Sequence, residues 1–589
     1  MKRKAMAAFM AAIMTASLLA GCGDNASQSS GEGSSSAGGD SAGEESSAGE
    51  EGDAGEESSG GGSCSEEASG DLKTLHILGV DHSGTDGNGQ TVKLSDWVNG
   101  DSKLWERFTS DLAERGLKLE LDLIENDQYD TTVNNQLAAG LDYDFVYIAP
   151  LSTKTRIGLV EQGKLQPLNQ IWNQYGQEAT KEFYEQGAGS EVVKLNVLED
   201  GNIYWVSTAI IGTYGDSNFG SFTMPQIRKD WLDKLGLEMP QTTDELYEAL
   251  KAFRENDVNG NGEADEVARL SLSTFSGGIA QLFGLGNSIA YVDYYTGKVS
   301  SPWYDENVKE YIQFMQKLYE EGMLVDGDSE NSTEVAENKA AMIFDWALQT
   351  WQEPTIMVPE GEAAPYYVGV HCKAVEGVEP LIARQRGIQK AGYDYAATDK
   401  ADPEAVAIYL DYIASEEYAL LSEFGIEGFS FEYDENGEMV QYSDSEDSEV
   451  QMIVKTPALW VNNGIAPRVQ KVDRKQEVDM TKGAGYDMGY PEEGFEEKVK
   501  LIRDIYENEE KYSYAAMSVD MAVSTVAEND EVDSFYTDLD TRSKEILMNL
   551  IMGTYSLEDW DTYISDLQNL GLDKLIEIYQ NRYDRAWGN

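Results

Sequence analysis

Histidine and cysteine are nearly absent from this chain, at three each in 589 residues. His76, His82 and His371 are too few and too scattered for a clustered metal centre, and no H-E-x-x-H pair is present to hold a catalytic zinc. G-x-S-x-G occurs only at Gly39-Asp40-Ser41-Ala42-Gly43, inside a low-complexity stretch with no strand before it or helix after it, so no serine-hydrolase elbow is offered. Cys22, Cys64 and Cys372 cannot build a disulfide framework. A Cys64–Cys372 pair and a free, buried Cys372 both remain open. Positive charge is scarce too: 44 Lys and Arg stand against 107 Asp and Glu, a net charge of −63. Such a surface repels phosphate backbones and anionic membranes, so nucleic acid is excluded as a partner and uncharged or cationic ones fit better.

The ends of the chain are unlike its middle. Lys2, Arg3 and Lys4 precede an apolar run from Ala5 to Ala20, too short to span a bilayer. The run closes on Leu18-Leu19-Ala20-Gly21-Cys22, which is similar to the bacterial lipobox and implies cleavage before Cys22 and lipidation of that residue. Residues 1–22 are therefore read as a lipoprotein signal peptide. Residues 23–70 are almost entirely Ser, Gly, Glu, Ala and Asp without an aromatic, and cannot bury enough surface to offset their ordering entropy. As a flexible tether they would average roughly 35–40 Å end to end.

From residue 71 the pattern becomes that of a folded α/β protein, and 41% hydrophobic residues are ample for a core. Thr74–Val80, Leu117–Ile124 and Asp144–Ile148 read as strands, separated by helices around Trp105–Glu114 and up to Gly140. That alternation with short links predicts a parallel sheet. Further strands are expected at Ile203–Val206, Phe222–Ile227, Ala340–Trp346, Tyr366–Val370 and Ile382–Ile388. Helices are expected at Tyr311–Tyr319, after Asp402-Pro403, at Trp560–Leu570, and from Leu572 to Trp587 beyond Gly571. Gly158–Leu165 imitates a P-loop, but Leu165 stands where magnesium needs Ser or Thr, and the segment ends a helix rather than starting one.

One stretch carries three signals in succession. Thr242 and Glu245 form T-x-x-E, a capping box opening a helix whose Leu246, Leu250 and Phe253 share one face. Directly after it, Asp257, Asn259, Asn261, Asp265 and Glu266 alternate around glycines, the oxygen-rich arrangement that suits a hard cation. The twelfth loop position is Ala268 rather than the bidentate Glu of an EF-hand. From the residues alone, a metal-free Asx-rich turn remains the other reading.

In order along the chain come Ala138-Ala-Gly140-x-Asp142-x-Asp144-Phe-Val, Glu161-Gln-Gly163 and Arg228-x-Asp230-Trp231-Leu-Asp-Lys-Leu-Gly236. After them stand Thr243-Asp-Glu-Leu246, Ala340-Ala-Met342, Phe424-Gly-Ile-Glu427-Gly428, Ile551-Met-Gly553 with Trp560, and Gly571-Leu-Asp-Lys574. Together these resemble the carbohydrate class of bacterial extracellular solute-binding proteins, in their lipoprotein and alginate-binding-type branch. The resemblance spans nearly everything after Leu72. It implies a periplasmic-binding-protein-like α/β fold: two doubly wound lobes joined by hinge strands, with extra C-terminal helices. Lobe one is expected at roughly 71–205 plus 365–455, and lobe two at roughly 206–364 plus 456–589. It also implies a structural Ca2+ held by Asp257, Asn259, Asn261, the carbonyl of Glu263, Asp265 and Glu266, with Glu266 replacing the missing twelfth-position ligand.

By the same resemblance the protein is no enzyme. The resemblance implies instead a monomeric, lipid-anchored receptor on the outer face of the cytoplasmic membrane, passing an oligosaccharide to the permease of an ABC importer. A surface adhesin or sensor with the same fold is the alternative. A glycosidase, which needs only two carboxylates, is disfavoured by the ordered resemblance. Ligands of open α/β sheets lie beyond strand carboxyl ends, and sugars want aromatic platforms beside polar groups. The strand-end candidates are Asp81, His82, Trp205, Trp346 and Trp351, with Trp460 in an apolar run near loops. For His82 and each Trp, a site role stands beside a structural one; Trp346 is the foremost candidate. Trp231 and Trp560 are read as core.

Overall fold

The computed structural model describes residues 72–588 except 82, 86–90, 187–188, 212–222, 294, 328–332, 347–355, 357–365, 385–387, 436, 438, 443–444, 446, 456–499, 502–503, 506–507, 509–510 and 517–521. Cys22, Cys64, His82, Trp351 and Trp460 lie outside the described residues.

Ten strands build the two main sheets: β1 (Lys73–Asp81), β2 (Leu117–Glu125), β3 (Phe145–Tyr147), β4 (Trp205–Ile211), β5 (Thr223–Arg228), β6 (Val267–Leu270), β7 (Leu324–Asp326), β8 (Ala340–Trp346), β9 (Tyr367–Gly369) and β10 (Ile388–Ala397). The first sheet has the order β2-β1-β3-β10-β4 and the second β7-β6-β8-β5-β9. In the first sheet β1 runs parallel to β2 and β3, while β10 is antiparallel to both β3 and β4. The helices Lys103–Glu114 and Asn126–Ala139 make the two expected crossovers. Because helices cover both faces, β1 is buried on both. Leu75 and Ile77 enter one core, with Phe145, Tyr395 and Tyr409, and Leu78 and Val80 enter the other, with Val146 and Ile148.

The second sheet packs on one large core shared with the C-terminal helices Tyr536–Ile551, Trp560–Asn569 and Leu572–Trp587. Ile546, Leu550 and Leu567 meet Ile312, Met315 and Leu318 of the helix Val308–Glu320 in that core. Gly571 separates the last two helices at φ 106°, where a Cβ would come within 2.7 Å of the Phe535 ring.

Two expectations need correction. The single strand expected at Ile382–Ile388 is two strands. Leu381–Arg384 pairs with Ser513–Ala516 in a third sheet that also holds Tyr291–Asp293 and Val299–Ser300, whereas β10 belongs to the first sheet. The Thr242 cap is present, its Oγ1 accepting from Glu245 N at 3.2 Å, but the Glu245 carboxylate reaches Gln241 N at 2.7 Å rather than the backbone of Thr242.

Candidate ligand-binding site

Strand direction locates the site. In the first sheet the carboxyl ends of β1 and β3 lie on one edge, at Asp81 and at Ile148-Ala149-Pro150. The register Ile388↔Ile211 brings β4 out and β10 in at that same edge. The second sheet repeats the arrangement. β8 runs parallel to β6 and ends at Trp346, paired with Thr223 at the start of β5; β9 ends nearby, Val370 N donating to Pro225 O at 2.8 Å. The chain therefore leaves the first sheet at Ile211 and enters the second at Thr223, and goes back from Gly369 to Ile388, in both cases at the edges where ligands of such sheets bind.

The sequence candidates fall unevenly on these edges. Asp81 ends β1 but is only 8% exposed, and both its oxygens serve a neighbour. They accept from Ser95 N at 2.9 Å and Ser95 Oγ at 2.7 Å, fastening the short helix Leu94–Val98. Trp205 is a correction. It lies at the amino end of β4, is fully buried, and donates from Nε1 to Asn196 Oδ1 at 3.2 Å, so its ring offers no face to a sugar. The backbone of Trp346 is the last residue of β8, at the edge as expected. Trp231 is buried as core, and Trp560 is half-buried beside Trp303, with ring centroids 5.7 Å apart.

Sequence reading missed the residue that shapes the β3 end. Arg156, in the helix Thr153–Glu161, donates from Nε to Leu151 O at 2.8 Å, from Nη2 to Ala149 O, and from Nη1 to Asp394. The partner at position 394 is 238 residues away, beyond the reach of any local pattern.

A surface groove of about 610 Å³ lies elsewhere, between Trp303, Tyr304, Asp305 and Lys309 on one side and Trp560 and Asp561 of the helix Trp560–Asn569 on the other. Its lining includes none of the strand ends, and Lys309 Nζ sits 5.0 Å from the Trp560 ring centroid, over one face of that ring.

The oxygen-rich loop has its own geometry. Asp257 takes a left-handed φ of 46°, and Gly260 and Gly262 follow at 76° and 89°, folding the chain back on itself. Asp257 Oδ2 accepts from Gly262 N at 2.9 Å, Asn259 Oδ1 from Asn261 N at 3.0 Å, and Asn261 Oδ1 from Glu263 N at 2.8 Å. Glu266 is 1% exposed; its Oε1 accepts from Asn259 N at 3.3 Å. Asp257 Oδ1 and Glu266 Oε2 are buried with no hydrogen-bond partner. Burial, then the nearby Asp265 and Asp257 charges, push the Glu266 carboxyl above its usual range. Two unpartnered anionic oxygens cost free energy unless a cation meets them, so the donor set fits a hard metal ion. Among the described residues no three His, Cys, Asp or Glu side chains converge by themselves. Here the remaining oxygens would come from Asn259, Asn261 and the Glu263 carbonyl.

Residues 100–420, more than half of the chain, match the family of bacterial extracellular solute-binding proteins. A fructooligosaccharide ABC transporter substrate-binding protein, FusA of Streptococcus pneumoniae, is 32% identical over 231 residues, 37% of this chain and 38% of its own. Lipoprotein LipO of Bacillus subtilis is 27% identical over 236 residues, 35% of this chain and 43% of its own. The chain thus spans under half the length of these curated relatives. FusA in complex with kestose superimposes with a TM-score of 0.58 at 22% identity, covering 87% of this chain and 99% of that one. FusA has also been solved as an EF-hand mutant with fructo-nystose, at the same TM-score. The matched span, which contains most strands of both sheets, leads to one conclusion: this chain belongs to the bacterial extracellular solute-binding proteins, with their periplasmic-binding-protein-like α/β fold.

Proposed function

We propose that this protein is the substrate-binding component of an ABC importer, a lipid-anchored monomer that captures a neutral oligosaccharide and hands it to a membrane permease. The observation that carries this reading is that both passages between the sheets start from the edges where strands end, so a ligand placed there touches both lobes at their joint. A ligand that contacts both lobes favours the closed arrangement by its differential affinity, and the closed form is what a permease would receive. The sugar class is supported by similarity to FusA, and a neutral sugar suits a chain with 63 surplus negative charges better than a uronate. Lipid anchoring rests on the Leu18–Cys22 motif, with 23–70 as the tether.

In this reading the ligand residues are Asp81, His82, Trp346, Trp351 and Trp460, with Trp346 as the stacking platform. A structural Ca2+ would be held by Asp257, Asn259, Asn261, the Glu263 carbonyl, Asp265 and Glu266, stiffening the second lobe away from the ligand. The deciding experiment is a thermal-shift screen of the full chain with neutral oligosaccharides, uronate oligomers and peptides. A rise with a neutral oligosaccharide is expected. A rise with peptides and none with sugars would reject the carbohydrate reading.

A further inference from the structure

We propose that Arg156 and Asp394 form a buried coupling between the turn at the carboxyl end of β3 and the two crossing strands, β4 and β10, by which the chain leaves the first sheet and returns to it. The coupling would make that turn and the joint move as one unit; it rests on the receptor reading for its consequence, lobe closure.

The guanidinium is a fork with its prongs in two places. Nε and Nη2 hold the Leu151 and Ala149 carbonyls, fixing a turn at the ligand-facing edge, while Nη1 meets Asp394 on β10. The side chains of Arg156 and Asp394 are 12% and 3% exposed, so the pair is screened little by solvent. Asp394 carries the connection onward. Its Oδ1 accepts from Ser207 Oγ on β4, and its main-chain oxygen accepts from Ile148 N at 2.8 Å. Ser207 Oγ in turn accepts from Asn196 Nδ2 at 2.9 Å, and Asn196 Oδ1 accepts from the Trp205 indole. One aspartate is thereby bonded to the β3 turn and to both crossing strands.

The register shows why position 394 matters. Pairing of the crossing strands goes from Lys390↔Ala209 to Asp394↔Ser207, so β10 carries two extra residues directly before Asp394. A bulge bends its strand and re-aims the side chains beyond it. Asp394 is thus the first regularly paired residue after the irregularity, at the place where the strand entering from the other lobe is redirected. Lysine could supply the charge at 156 but not three donors in a fixed plane, so the device requires arginine.

The test uses hydrogen exchange on the ligand-free full chain, then sugar binding. In Arg156→Gln, the amides of Ile148, Ala149 and Leu151 and those of Trp205–Ile211 should exchange at least tenfold faster together, while those of Val267–Leu270 and Leu324–Asp326 keep the wild-type rate. Arg156→Lys should resemble it. Ser207→Ala, which leaves the ion pair in place, should loosen both segments to a lesser degree and remains informative where Arg156→Gln does not fold. Acceleration confined to 148–151, with Trp205–Ile211 at the wild-type rate, would overturn the coupling. With kestose as the first sugar probe, Arg156→Lys should dissociate at least threefold faster and compact less on binding, measured by small-angle scattering. Unchanged dissociation and compaction in a variant that binds would also overturn it. A wild-type chain that binds no neutral oligosaccharide rejects the receptor reading instead, and the exchange result still decides the coupling.

Discussion

Arg228 and Asp230 clasp each other inside the second lobe. Nε and Nη2 of Arg228 reach the two Asp230 oxygens at 2.8 and 2.6 Å, Nη1 reaches Asn338 Oδ1 at 2.6 Å, and the guanidinium lies 4.1 Å from the Trp231 ring centroid. The R-x-D-W spacing is thereby explained as a self-contained support for the end of β5, the strand that arrives from the other lobe. Arg228 is only 1% exposed, so removing its partner strands a buried charge. Asp230→Ala should cost about 3–5 kcal/mol in urea unfolding. Arg228→Met combined with Asp230→Ala should recover a large part of that loss. A double variant as unstable as the sum of the singles would show that the clasp is not a unit.

Trp205 and Trp346 should respond in opposite ways. Trp205→Phe removes an indole donor from Asn196 in the buried interior and should lower stability by about 1–3 kcal/mol. Sugar affinity of the folded variant should stay close to wild type. Trp346→Ala, at the end of β8, should instead weaken sugar binding roughly tenfold or more, about 1.4 kcal/mol, with a smaller loss of melting temperature. Titration of both variants by calorimetry separates the two roles. A Trp346 variant that unfolds, or that binds normally, removes it from the site.

What could be read in the sequence was whatever is decided locally. Thr242 announced its helix because a hydroxyl must meet the orphan amide of Glu245, and Ala340–Trp346 announced itself as a largely apolar run. Sheet membership was not local. Leu381–Arg384 and Ile388–Ala397 look continuous in sequence, yet their partners, Ser513–Ala516 and Trp205–Ile211, assign them to different sheets. Trp205 misled for a related reason: a Trp on a strand looks the same at either end, and only the register shows that this one lies at the amino end, under Asn196. The Arg156–Asp394 contact joins segments 238 residues apart and leaves no periodic trace.

His371 should make stability fall in mild acid. It lies just past β9, its ring centroid 5.1 Å from that of Tyr512, and burial lowers its pKa from 6.5 to about 4. Of the charges around it, Glu379 raises the value and Lys373 lowers it, both less than burial does. The unfolded chain takes up a proton near pH 6.5, which the folded chain refuses until about pH 4. The contribution is therefore complete above pH 6.5 and is lost as pH falls toward 4, on the order of 3 kcal/mol. Melting temperatures of wild type and His371→Gln across that window should converge as the pH drops. Parallel curves would show that His371 titrates normally.

Glu266 gives the sharpest test of the cation loop, because its two expected effects have opposite signs. Without metal, its ionised carboxylate is buried with one oxygen unpartnered and the Asp257 and Asp265 charges close by, so the anion is a liability. With Ca2+ bound, the same oxygen becomes a ligand, and calcium at a hundred times its Kd adds about 2.7 kcal/mol to folding. Wild type should therefore melt lower in EDTA than in calcium, while sugar affinity of the folded protein stays nearly the same. Glu266→Gln should melt at or above wild type in EDTA and below it in calcium. Asp257→Asn, which touches the other unpartnered oxygen, should show the same pattern. Differential scanning calorimetry in the two buffers reads all of this directly. If the curves do not cross and EDTA leaves wild type unmoved, the segment from Asp257 to Glu266 is a turn held by its own Asx hydrogen bonds, and no ion belongs in it.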